Sequence, residues 1–261
     1  MTRRVRIGLI AISSLVVVAL VVILGGIAVL RSNGFFERVR QRVVAEMERS
    51  TGGKVELETF HLYWRTLTAE VGGLVIHGTE PAAEAPLLRI SKIRIGLKVS
   101  SLMKRQFDIA SVDVLDPQTN LLISSDGRTN IPERKPRQPS KSIDQTILDL
   151  AVGRFGAQNG IVQIKAAGSP PRKFPWTAHG ENLRAVLNYS QPGHSYTGSI
   201  SVQPIHYAYG NYKPVDLAVY SGVKFERDHI QISDGRLKSQ FSEIDFSGDL
   251  QHLQEIGRAH V

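Results

Sequence analysis

Between Ile7 and Leu30 the chain runs for twenty-four residues without a charged side chain. At about 1.5 Å of rise per residue a helix of that length reaches roughly 36 Å, more than the ~30 Å hydrocarbon core of a bilayer. The run therefore predicts a membrane anchor over residues 1–31, with Ile7, Leu15, Leu20, Leu24 and Leu30 along it. Arg3, Arg4 and Arg6 precede the span and Arg31 follows it, so the basic flank favours a cytoplasmic N-terminus and places the bulk of the chain outside the cytoplasm. The rival is a cleaved secretory signal ending at Gly26-Ile27-Ala28. Signal cores usually hold roughly 7–15 apolar residues, and this run is longer.

The net charge of +8 suggests a nucleic-acid partner until it is located. Arg3, Arg4 and Arg6 supply three charges; Arg134, Lys135, Arg137 and Lys141 against Glu133 supply three more, leaving the rest of the chain nearly balanced. No basic stripe for phosphates remains, and no nucleic-acid partner is expected. Cysteine is absent, which excludes disulfides and thiolate metal sites.

After the span, Phe35, Val39, Val43 and Met47 recur every four residues, with Glu37, Arg38, Arg42 and Glu46 on the other side. This spacing predicts a short amphipathic helix within 32–53, closed by Thr51-Gly52-Gly53. From Lys54 the period becomes two. Val55 and Leu57 alternate with Lys54, Glu56 and Glu58, and Leu88, Ile90, Ile93, Ile95, Leu97 and Val99 alternate with polar partners. Such runs are strands with one wet and one apolar face. Parity slips by one between Leu57 and Phe60 and between Ile90 and Ile93, which suggests bulges.

Further strands follow to Phe246, with Asp126-Gly127, Gln191-Pro192-Gly193 and Asp234-Gly235 as turn signals and no convincing helix between them. An antiparallel meander is expected, in two modules over 54–131 and 143–255, joined by a proline-rich basic linker at 132–142. Ser142 to Phe155 fits neither period cleanly and stays open between helix and strand. Residues 256–261 (IGRAHV) read as the translation of a common sequencing adapter, so the natural chain is expected to continue further.

Chemistry is sparse. The eight histidines form no helical i, i+4 pair and no His-x-His, so no metal is expected. No nucleophile elbow and no phosphate loop occur, and we expect no catalytic residue and no cofactor. Ser-Asp-Gly-Arg, at 125–128 and 233–236, reads as hairpin chemistry. Trp64, Trp176, Tyr207, Tyr209 and Tyr212 read as core, edge or interface aromatics.

Several stretches carry a family resemblance: Thr51-Gly52-Gly53-Lys54-Val55-Glu56-Leu57, Val71 to Gly78, Ile93 to Met103 leading into Phe107-Asp108-Ile109, Val112 to Ile123 closing with Asp126 to Ile131, and Asn159 to Ile164 after an Asn-Gly turn. In these the chain resembles the N-terminal part of the AsmA-like and TamB-like envelope proteins. The resemblance implies a repeating β-groove that bridges the inner and outer membranes of diderm bacteria. It further implies phospholipid as cargo and, on the TamB-like side, a TamA-like outer-membrane barrel as partner.

The expected fold is thus mainly β: the transmembrane helix, the amphipathic helix, then a curved antiparallel sheet forming an open β-groove. A closed β-sandwich gives the same alternation and is the alternative. The expected function is a non-enzymatic bridge anchored in the inner membrane, carrying phospholipid across the periplasm. Val55, Leu57, Ile93, Ile95, Leu97, Val99, Leu121, Ile123, Leu217 and Val219 would meet acyl chains. The alternative is an assembly module that pairs strands with a barrel partner.

Overall fold

The computed structural model describes residues 34–63, 66–98, 109–132, 151–168, 174–227 and 229–251. The expected anchor (Ile7, Leu15, Leu20, Leu24, Leu30), Val99, most of the linker and the last ten residues lie outside this set. Among the described residues no helix is long and apolar enough to cross a membrane.

One helix, α1 (Gly34–Thr51), precedes ten strands: β1 (Val55–Tyr63), β2 (Thr68–Ile76), β3 (Leu88–Leu97), β4 (Ile109–Ile123), β5 (Arg154–Ala166), β6 (Trp176–Ser190), β7 (Ser195–Tyr209), β8 (Val215–Glu226), β9 (His229–Ser239) and β10 (Glu243–Gln251). The amphipathic spacing forms the helix as expected, with Val43 and Met47 fully buried. It stops at Gly52, whose φ of 77° and N–H bond to the Glu48 carbonyl (2.9 Å) give the left-handed cap. Across to β1, Arg40 donates to the Leu57 carbonyl (2.8 Å) and Glu48 accepts from the Val55 N–H (3.1 Å).

All ten strands form one sheet in sequence order, and the sheet is not closed. A two-sheet sandwich is therefore not what these strands build. The purely antiparallel expectation is corrected at one place, where β4 and β5 pair in parallel, Val112 beside Phe155 and Leu121 beside Ile164. A parallel pair needs a crossover connection between its strands, here between Ile123 and Arg154. This pairing also joins the strands of the two expected modules into a single sheet.

The parity slips have a different cause from the one expected. Leu57 and Phe60 both face inward three residues apart, and so do Val71 and Leu74, Ile90 and Ile93, and Val114 and Pro117. Leu57 pairs Leu74 and Phe60 pairs Val71; Leu74 pairs Ile90 and Val71 pairs Ile93. From β1 to β4 each strand slips at the same level as its neighbour, so register is kept across the slip there, whereas a bulge would set two residues against one. Register does shift further along the sheet, between β5 and β6 around Gly160 and in the pairs from β7 to β10. The result is a transverse crease. Left-handed residues mark it at Gly73 (φ 65°), Asp116 (φ 50°), Asn159 (φ 55°) and Asn182 (φ 51°). At Gly73 a side chain would be strained by φ alone.

The crease explains two further differences. Asn159-Gly160 and Asp234-Gly235 lie inside β5 and β9 and make no hairpin, while Asp126-Gly127 and Gln191-Pro192-Gly193 do turn. The second Ser-Asp-Gly-Arg is accordingly a strand segment.

Candidate functional site

Cross-strand registers put most of the apolar side chains of the strands on one face. One row runs Phe60, Val71, Ile93, Val114, Ala157, Ala185, Ile200. Another runs Leu62, Ala69, Ile95, Val112, Phe155, Leu187, Gly198, Val223, Ile232.

Burial changes along this face. Val55, Leu57, Ile93, Ile95 and Leu121 are sealed in the interior, all but Leu121 in one cluster with Val43 and Met47 of α1. A buried side chain of this kind contributes about 1.5–3 kcal/mol of transfer free energy, so this half of the face is structural core. Leu97, Ile123, Leu217 and Val219 are only partly buried. On β6 to β9 most apolar-face residues are half-exposed, and every residue of β10 is exposed. The expected contact residues thus divide into a closed group, Val55, Leu57, Ile93, Ile95 and Leu121, and a partly accessible group, Leu97, Ile123, Leu217 and Val219.

The accessible part is graded along the strands. Its middle is aliphatic, Leu183, Ile200, Val202, Ile205, Leu217 and Val219, with Ala185 between them buried in the core cluster. Its two ends are aromatic. At one end Tyr189, half-buried, and Tyr196, buried in the core cluster, pair across the strands with ring centroids 5.1 Å apart. Tyr189 Oη contacts His194 Nδ1 (3.0 Å), and Tyr196 Oη accepts from the buried Val152 N–H (2.9 Å). Burial pushes the Tyr196 hydroxyl up to about 12.

At the other end Trp176 pairs with Tyr209, and Tyr207 lies 6.1 Å from Trp176. Phe174 packs edge-on against Tyr209 (6.0 Å), and Tyr212 stacks on Tyr209 (5.9 Å). Tyr212 is 69% exposed. Lys213 follows it in the turn between β7 and β8. The nearby acids are engaged on the polar face, Asp216 with His206 (2.6 Å) and Glu243 with Arg236 (3.1 Å) and Lys238 (3.3 Å).

The opposite face of the sheet is ionic. Glu70 on β2 accepts from Lys92 (2.8 Å) and Arg94 (3.3 Å) of β3, and Lys92 is the main cause of its lowered pKa. Asp113 on β4 pairs with Arg154 on β5 (2.8 Å). His179 and His206 stack with ring centroids 6.4 Å apart. Among the described residues no group of three or more histidine or acidic side chains is placed to hold a metal ion.

Sequence reasoning missed the aromatic ends as a pair. The signal was present in Tyr207 and Tyr209, two apart on one strand, with Tyr189 and Tyr196 flanking a turn, but without cross-strand register their common face was not visible. The fold and this face define a single-sheet β protein with a solvent-accessible apolar surface. Comparison with protein-family models and with curated protein sequences yields no match.

Proposed function

We propose that the chain is a non-enzymatic carrier of phospholipid acyl chains, with the apolar face acting as a curved groove. In this reading residues 7–30 tether it to a bacterial inner membrane, N-terminus in the cytoplasm, and the sheet lies in the periplasm as part of a bridge towards the outer membrane. The observation that carries the reading is the unclosed apolar face whose side chains pass from mostly sealed on β1 to β4 to mostly half-exposed on β6 to β9 and exposed on β10. A sixteen-carbon acyl chain in water forfeits on the order of 12 kcal/mol at ~0.8 kcal/mol per CH₂, so lipid crosses an aqueous gap only under cover. An open apolar face supplies that cover, and a face left bare would favour association.

Lipid extraction and mass spectrometry of the purified full chain test the reading. Phospholipid should copurify and should be lost on replacing Leu217 and Val219 with aspartate. Lipid-free protein that stays monodisperse in aqueous buffer would count against it.

The second reading, an assembly module, is favoured by β10. Its nine residues are all exposed, and its outer edge is unpaired in the sheet order. Such an edge accepts an added strand, as in pairing with an outer-membrane barrel protein. Crosslinks from Ile244 or Phe246 to a barrel protein, without lipid, would select it.

A further inference from the structure

The two aromatic ends of the accessible face differ in what their polar tips do. At the Tyr189 and Tyr196 end one hydroxyl contacts His194 and the other accepts from Val152, so both are engaged within the fold. At the opposite end the hydroxyls of Tyr207, Tyr209 and Tyr212 have no hydrogen-bond partner among the described residues, and Lys213 has no ion-pair partner among them. Three tyrosine rings thus gather beside Trp176 at the edge of an aliphatic band, and exposed Lys213 follows Tyr212 directly in the adjoining turn.

Tyrosine and tryptophan favour boundaries where one end of the ring is apolar and the other wet. Phenol hydroxyls and a lysine ammonium suit an anionic oxygen acceptor; on the polar face Asp216 contacts His206, and Glu243 is paired with Arg236 and Lys238. Between the two ends the apolar face carries Leu183, Ala185, Ile200 and Val202.

We infer that a phospholipid on this face is oriented, with its phosphate headgroup at Tyr207, Tyr209, Tyr212 and Lys213 and its acyl chains running over Ile205, Leu217 and Val219 towards the Tyr189 end. The inference rests on the acyl-carrier reading and adds a headgroup subsite to it. Recognition is of the phosphate common to phospholipids. The site therefore predicts preference for phospholipid over an uncharged diacylglycerol.

Trp176 reports on this directly, because the chain holds two tryptophans and a Trp64→Phe variant leaves Trp176 alone. The detergent-solubilised full chain is given stoichiometric phosphatidylcholine carrying a nitroxide either on the headgroup or near the end of an acyl chain. The headgroup nitroxide should quench Trp176 several-fold more strongly, and a Tyr207→Phe, Tyr209→Phe, Tyr212→Phe, Lys213→Gln combination should abolish the difference while preserving the melting temperature. Stronger quenching by the acyl nitroxide, or equal quenching by both, overturns the orientation. If neither probe quenches Trp176 while a crosslinker at Leu217 still captures lipid, the headgroup subsite is wrong and the carrier reading stands. If Leu217 captures no lipid either, both fail.

Discussion

Asp116 on β4 and Asn159 on β5 stand at the same level of two parallel strands, each with left-handed backbone, φ 50° and 55°. Asn and Asp tolerate this conformation better than other side chains because they are short and bond locally. Together with Gly73 and Asn182 they carry the crease from strand to strand, so that both halves of each strand present apolar residues to one face. A β-branched residue there forces an outlier. Asn159→Val should lower stability by about 1–3 kcal/mol in urea titration, whereas Asn159→Gly should leave it roughly unchanged. Equal effects from the two would show that the left-handed backbone is not the constraint.

The two halves of the apolar face should respond differently to truncation. Ile93 is fully buried, so Ile93→Ala should cost about 2–5 kcal/mol. Leu217 is half-exposed, and Leu217→Ala should cost roughly 1 kcal/mol or less. Denaturant midpoints compare them. A loss at Leu217 as large as that at Ile93 would mean the β8 face is core.

Tyr196 couples β7 to the segment entering β5. Its hydroxyl accepts from the Val152 N–H in a buried setting, so Tyr196→Phe strands a buried donor and should cost about 1–3 kcal/mol. The difference titration between the parent and this variant, followed by phenolate absorbance, should show one tyrosine ionising at about 12. Ionisation at the ordinary phenol value would show that the ring is not buried.

The β10 edge should be pH-sensitive. His229 stands between Asp249 on β10 and Glu226 at the end of β8, with Glu226 also held by Lys224 (2.7 Å). The hydrogen bond to Asp249 is the main cause that raises the His229 pKa above its ordinary value, against a smaller downward pull from burial. A folded value above the unfolded one means that the contribution is complete below the unfolded pKa, about 6.5. It is lost as pH rises through the folded value. Amide exchange in β10, corrected for intrinsic rates, should therefore quicken as pH rises through that window, and His229→Gln should remove the dependence. Protection that is flat with pH in the parent would contradict the tether.

How much of this was legible in the sequence follows from which interactions are local. The i, i+4 apolar spacing of Val43 and Met47 and the alternation through Ile93 and Ile95 identified the helix and the one-faced strands without any long-range information. The slips at Leu57/Phe60 and Ile90/Ile93 were visible, but a slip on one strand looks the same whether its neighbour slips with it or not. Asn159-Gly160 and Asp234-Gly235 carry the signal of a turn because the left-handed backbone serves a hairpin and a crease equally well. The parallel pairing of β4 with β5 is a long-range choice, and the stretch leading into β5, Ser142 to Phe155, fits neither period. The partition of the apolar face into sealed and accessible parts is likewise non-local, since Ile95 and Leu217 have the same kind of sequence neighbourhood and differ only in what packs over them.

The account turns on whether the accessible apolar face holds lipid, and site-specific photo-crosslinking in the full chain reads this most directly. A photoreactive residue at Leu217 should capture phospholipid, while the same residue at Ile95 should capture only protein. Capture of protein alone at both positions would contradict the account.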